Sequence, residues 1–287
     1  MTVTLPGPLV SVAWLNVHLH HPALRLLDAS WYLPAMARDA RAEFRAGHLP
    51  GARFFDLDAA SDASSTLPHM LPSAEQFGRT LQALGIAAEH RVVIYDGSGA
   101  NLSAGRVWWM CRVFGLATVA VLDGGLGAWR RAGLTLEAGD PAPMPAAEPF
   151  PAVRHAALVR NADEVEAWLA GHGQLADARP AGRFTGALPE PRPGLRAGHM
   201  PGARSLPFAD VVDTDGMMHQ PDQLRARFAA AGLDPERPIV CSCGSGTSAG
   251  ALLLALAVLG RTDVPIYDGA WSEWGADAAR PVATGPA

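Results

Sequence analysis

The chain of 287 residues has little cysteine: three, at Cys111, Cys241 and Cys243. Three thiols cannot all pair with one another, which argues against a disulfide scaffold and for a reducing compartment, the cytoplasm. Charge is sparse too. Charged residues make up 18% with a net of −5, and no basic run is long enough to follow a nucleic acid. The apolar start, MTVTLPGPLVSVAWLNVHLHHP, has no basic segment and is broken by Pro6 and Pro8. It is a poor signal peptide and too short to span a bilayer, so it reads as an ordinary first strand and loop, with no membrane partner. No second pair of ligands stands at zinc spacing beside Cys241 and Cys243, and neither a metal nor a cofactor is expected. Apolar residues are plentiful at 49%. That suits a well-buried enzyme of one large or two smaller domains.

The chain also contains itself twice. RAGHLPGAR at Arg45 to Arg53 returns as RAGHMPGAR at Arg196 to Arg204. LLDAS, VVIYDGSG and VLDGGLGAW in the first half correspond, in the same order, to QLADAR, IVCSCGSG and IYDGAWSEW in the second. Each copy alternates strands with helices, so the sequence predicts an α/β protein of two similar domains, each a parallel sheet with helices on both faces. The first domain is expected over 1–136 and the second over 153–287. The stretch 137–152, rich in proline and alanine, reads as an extended linker.

The segment Pro238 to Ala257, PIVCSCGSGTSAGALLLALA, reads as strand, glycine loop and buried helix. It puts Cys243 at the carboxyl end of a strand, facing a helix amino end where free N–H groups favour negative charge. Such a setting is expected to lower a thiol pKa below its free value of roughly 8.5. Gly244 and Gly246 let the loop curl into an anion nest. On the loop alone, a nucleophilic cysteine in an anion cradle and a buried cysteine before a turn both remain open. In the first copy Asp96 stands where the second has Cys243. Only the second loop can do thiol chemistry, and the first domain is expected to serve as a wall of the site. His48 and His199 recur at one position of the repeat and read as turn-structuring residues. Cys241 reads as a buried neighbour, with a redox role the alternative. The tryptophans Trp108, Trp109, Trp129, Trp271 and Trp274 are expected in the cores and the domain interface.

Together the tandem pattern, the two GHxPGA motifs, CGSGTS and YDGAWSEW resemble the two-domain sulfurtransferases of the rhodanese superfamily. DASWYLP, RDARAEF, FFDLD, HMLP, RVWWM and LDGGLGAW in the first half strengthen the likeness, as do GRFTG and PEPR in the second. The resemblance implies two tandem rhodanese-like domains, with a catalytically inactive loop in the first. It also implies that Cys243 takes sulfur from a donor, becomes a persulfide, and passes the sulfur on. The acceptor would be a thiol such as thioredoxin or a small thiol, or cyanide. The loop CGSG, with Gly244 and Ser245 where the thiosulfate-using branch carries Arg and Lys, implies 3-mercaptopyruvate as donor. Arg183 of GRFTG and Arg192 of PEPR match the family's substrate-binding arginines, whose planar forks suit a carboxylate. The N–H groups of Gly244 through Ser248 would hold an anionic sulfur. Thr247 and Ser248 depart from the family's usual Val and Thr. The resemblance further implies a relay of Asp58, His69 and Ser245, with roles of orienting carboxylate, imidazole base and hydroxyl. Thiosulfate as donor and a non-enzymatic sulfur-carrier module are the competing readings. A cysteine phosphatase is disfavoured, since the arginine it needs six residues after the cysteine is Ala249 here.

Overall fold

In the computed structural model, which describes residues 3–142 and 148–286, each copy of the repeat folds into a five-stranded parallel sheet. The first holds β1 (Leu9–Val10), β2 (Leu24–Asp28), β3 (Arg53–Phe54), β4 (Arg91–Tyr95) and β5 (Val119–Leu122), in the order β1-β5-β4-β2-β3. The second holds β6 (Val159–Arg160), β7 (Gln174–Asp177), β8 (Arg204–Ser205), β9 (Ile239–Ser242) and β10 (Ile266–Tyr267), in the order β6-β10-β9-β7-β8. Counted within each copy, the two orders are the same. The central strands are short apolar runs because both their faces are covered. Val92 and Ile94 join the core shared by both halves, and Val93 and Tyr95 join a second core on the opposite face.

The halves meet along two helices, Leu102–Val113 and Ala249–Val258, both buried nearly all round. Their backbones touch at Gly105 and Gly250. A Cβ on Gly105 would lie 2.6 Å from the Gly250 carbonyl carbon, and one on Gly250 would lie 2.4 Å from that of Gly105. The SAG triplet that both copies carry is therefore a crossing point, where only hydrogen fits. Two loops then exchange across the interface. The Leu71 amide donates to Asp268 Oδ2 of the second domain at 2.9 Å. The Met218 amide donates to Asp123 Oδ1 of the first, also at 2.9 Å. Each domain thus lends the other a strap, anchored on the aspartate of the repeated DG motif.

One detail differs from the sequence reading and one adds to it. The amino-terminal segment forms the short β1 and then a helix, Val12–His18, rather than a loop, because Ser11 caps the Trp14 amide and Leu15 is fully buried. The stretch 137–152 has no helix or strand among its described residues, yet much of it is bound to the first domain. His48 pairs with Glu137, the Gly139 amide donates to Arg45 O, and Phe150 joins the core. Residues 143–147 of that stretch lie outside the described residues. The repeated histidines do what a turn needs: His48 stacks on Phe44 and bonds its carbonyl, and His199 does the same with Phe184. The five named tryptophans are all buried.

Candidate active site

β9 ends at Ser242 and delivers Cys243, which is 1% exposed, into the loop that precedes the Ala249–Val258 helix. The following turn pins the loop from outside. Trp271 N donates to Cys243 O at 3.0 Å, and Ser272 donates to Gly244 O from both its amide and its hydroxyl. The Cys243 and Gly244 carbonyls therefore point away while the loop's amides remain free. Among the described residues, the N–H groups of Gly244, Ser245, Gly246, Thr247 and Ser248 make no hydrogen bond. Gly246 takes φ +76, the left-handed conformation that curls the chain, and a Cβ there would meet Arg106 Nη1 at 2.8 Å. Gly244 is needed for another reason: its Cβ would lie 2.7 Å from Arg183 Nη2.

The first domain contributes the ceiling. His69, 5% exposed and itself left-handed at φ 59, sits on the strap. Its Nε2 lies 3.3 Å from Asp58 Oδ1, and Trp31 Nε1 donates to Asp58 Oδ2 at 3.0 Å. The hydrogen bond from His69, with that from Trp31 adding to it, keeps the Asp58 carboxyl below the usual carboxylate range despite partial burial. The His69 Nδ1 lies 3.1 Å from Thr247 Oγ1 and 3.3 Å from the Ser245 carbonyl oxygen. The structure thus brings Asp58, His69 and the loop together across the domain interface, but the hydroxyl on the imidazole is that of Thr247. Ser245 meets it with its backbone, because the curl at Gly246 turns the 245 carbonyl toward the first domain.

Cys243, Ser245, Thr247 and Ser248 line a cavity of about 300 Å³ between the domains. Trp31, Leu33, Met36, Leu102 and Phe208 form its apolar wall, and Arg183 and Arg192 its cationic one. Arg183 is held by Glu190, which is held in turn by the buried Arg179 and so by Asp177 at the end of β7. Arg192 makes no hydrogen bond or ion pair among the described residues. Partial burial, and then the neighbouring Arg183, hold its pKa below the usual arginine value. Cys243, Glu190 and Asp58 act on it only from a distance, so it has no direct anionic partner. Gly246 does not line the cavity, since Arg106 covers it. Neither of the other thiols lines the cavity. Burial pushes Cys111 up to about 12, and burial, then Cys243, raises Cys241 further.

Four supporting residues were not singled out from the sequence. Arg106, fully buried, bonds the His69 carbonyl and pairs with Asp268 at 2.7 Å, which fixes the strap on the loop. Glu190 orients Arg183, and Trp31 orients Asp58. Arg106, Glu190 and Trp31 all lie inside recognised motifs (RVWWM, PEPR and DASWYLP), and Asp268 is the aspartate of the repeated DG. Their partners are set by folding, so only the motifs themselves gave a signal.

The rhodanese-like domain family matches residues 11–132 and 161–277. The chain is 44% identical over 272 residues to the 3-mercaptopyruvate sulfurtransferase of Homo sapiens, covering 93% of this chain and 91% of that protein. It is 41% identical over 301 residues to the mitochondrial thiosulfate/3-mercaptopyruvate sulfurtransferase 1 of Arabidopsis thaliana, covering 98% and 79%. Its fold is similar to the crystal structure of SseA from Escherichia coli, a 3-mercaptopyruvate sulfotransferase. The TM-score is 0.83 at 39% identity, over 92% of this chain and 99% of that one.

Proposed function

The chain belongs to the rhodanese family, and from that premise we propose that it moves sulfur from 3-mercaptopyruvate to a thiol or other nucleophilic acceptor through a persulfide on Cys243. The observation that carries the reading is the ring of five unbonded amides, Gly244 to Ser248, beside a cysteine at the head of a helix. An anionic sulfur needs donors in place of water, and these are fixed before it arrives. The Cys243 thiolate attacks the donor's sulfur. The C–S bond breaks with its electron pair on carbon, leaving the enolate of pyruvate and a persulfide. An acceptor thiolate, such as that of thioredoxin or a small thiol, or cyanide, then attacks the terminal sulfur, and Cys243 departs as thiolate.

Arg192 and Arg183 take the donor's carboxylate and adjacent carbonyl, and the unpaired Arg192 gains its missing anion. Asp58 and His69 manage the proton, with Ser245 and Ser248 as cavity hydroxyls. Three buried free cysteines support a reducing compartment such as the cytoplasm. Among the described residues, no helix is long and apolar enough to cross a membrane. Thiosulfate is the second reading, favoured by the Arabidopsis relative named for both donors. The placement of Arg183 against Gly244 speaks for the keto acid, since the loop has no room for a cation of its own.

Side-by-side kinetics with the two donors test this. Turnover with 3-mercaptopyruvate is expected to dominate. Arg192→Ala is expected to lower kcat/KM for it by roughly ten- to a hundred-fold, the loss of one charge-assisted contact. Wild-type kinetics in that variant would remove the donor assignment.

A further inference from the structure

We propose that Thr247 is the hydroxyl through which the buried His69–Asp58 pair delivers a proton to the donor carbon that sulfur leaves behind. The inference rests on the donor reading above and goes beyond it by assigning the proton's route. His69 is buried and does not itself line the cavity, whereas Thr247 does. Thr247 Oγ1 stands 3.1 Å from His69 Nδ1, and among the described residues no other hydroxyl is bonded to that ring. Any proton passing between the imidazole and a molecule beside Cys243 therefore crosses this hydroxyl.

The ring's two sides have fixed roles. Asp58 is an ionised acceptor, so Nε2 carries hydrogen toward it. In the neutral ring Nδ1 is then bare and accepts from Thr247. In the charged ring Nδ1–H donates, and the Ser245 carbonyl at 3.3 Å supports that state. The site thus has a partner for each protonation state of one nitrogen. Arg106 and Asp268 hold the strap so that this face of the imidazole stays on the loop.

The step balances without any other reagent. 3-Mercaptopyruvate enters as a thiol, and its S–H proton passes through Thr247 to His69 Nδ1. Cys243 forms the S–S bond, the C–S bond breaks, and the methylene carbon keeps the electron pair. Thr247 protonates that carbon and recovers a proton from Nδ1. The products are the persulfide anion and pyruvate. Discharge of the persulfide to cyanide forms thiocyanate and needs no proton on carbon, so the two half-reactions separate the role of Thr247 from mere packing.

The test is rapid-mixing kinetics on Thr247→Val, Thr247→Ser and the unaltered enzyme. Pyruvate release is followed in a single turnover with 3-mercaptopyruvate. Thiocyanate formation is followed after prolonged loading with the same donor. The valine variant is expected to release pyruvate about a hundred-fold more slowly, as for a lost general acid. It should form thiocyanate at the unaltered rate, and the serine variant should restore most of the pyruvate rate. Unchanged pyruvate release by Thr247→Val, equal slowing of both half-reactions, or no rescue by serine would overturn the assignment. If the unaltered enzyme released no pyruvate, the donor reading would fall and the proton route with it. A normal burst in the valine variant removes the route alone.

Discussion

The loops that begin at Asp96 and Cys243 hold the same place in two copies of one fold, and their hydrogen bonding is opposite. In the first domain the Asp96 carboxylate has turned back into its own nest. It accepts from the Ser98 amide and hydroxyl and from the Ala104 amide, while Ser98 Oγ takes the Ala100 and Leu102 amides. The Gly97 amide goes to Ser30. The carboxylate is thus a built-in anion where the second domain keeps its amides for a guest. The straps differ in the same sense. Two residues before the anchoring amide, the strap over Cys243 carries His69, and the strap over the first loop carries Gly216. A Cβ on Gly216 would lie 2.2 Å from Gly99 O. One copy closes its loop with backbone on backbone, and the other leaves room for an imidazole. The asymmetry of the two loops arises from a few side chains on a symmetric frame.

The largest break in this comparison is expected from Cys243→Ser. Sulfur transfer to cyanide should fall to background, while Cys111→Ala keeps most of its rate. Adding Asp96→Cys to the serine variant is expected to restore nothing, since the first loop lies under Gly216 and, among the described residues, has no unpaired arginine beside it. Thiocyanate formed by that double variant would show that the position of the loop alone is enough.

A smaller effect separates the ends of β2 and β7. Asp177 is answered by the fully buried Arg179, which also holds Glu190, whereas its counterpart Asp28 has no cation and is met by Ser30 and the Tyr95 hydroxyl. Arg179→Met would strand two buried carboxylates and is expected to cost about 3–5 kcal/mol, read by denaturant unfolding. It should also weaken 3-mercaptopyruvate binding, because Glu190 orients Arg183. A loss under about 1 kcal/mol would mean that the carboxylates find other partners.

The smallest effect is a pH dependence confined to the first domain. Burial, opposed only in part by hydrogen bonds from Ser30 and Tyr95, pushes the Asp28 carboxyl up to about 6. The folded state then holds this proton more tightly than the unfolded chain, whose aspartate titrates near roughly 3.9. Its stabilising contribution is present below about pH 4 and lost as pH rises through about 6, a change on the order of 3 kcal/mol. Asp28→Asn should remove that dependence and raise the Tm at pH 7 more than at pH 4. An equal shift at both values would show that Asp28 titrates normally.

The repeat, its order and the loop at Cys243 were legible because each is carried by neighbours in sequence. Apolar runs buried on both faces announce parallel strands, and glycines announce the curl. The helix at Val12–His18 was not, since a helix of seven residues gives little periodicity and depends on one cap at Ser11. The same limit applied to Arg106, whose partners lie 37 positions away at His69 and in the other domain at Asp268.

The sequence by itself determined the α/β class, the duplication, and that only one of two equivalent loops carries a cysteine at its head. Folding decided which hydroxyl meets His69. Ser245 and Thr247 both follow Cys243 within a few residues, and nothing local separates them. The left-handed turn at Gly246, the Gly105–Gly250 crossing and the Arg106–Asp268 pair together aim the Ser245 carbonyl and the Thr247 hydroxyl at one imidazole nitrogen. That geometry exists only where two domains are packed against each other.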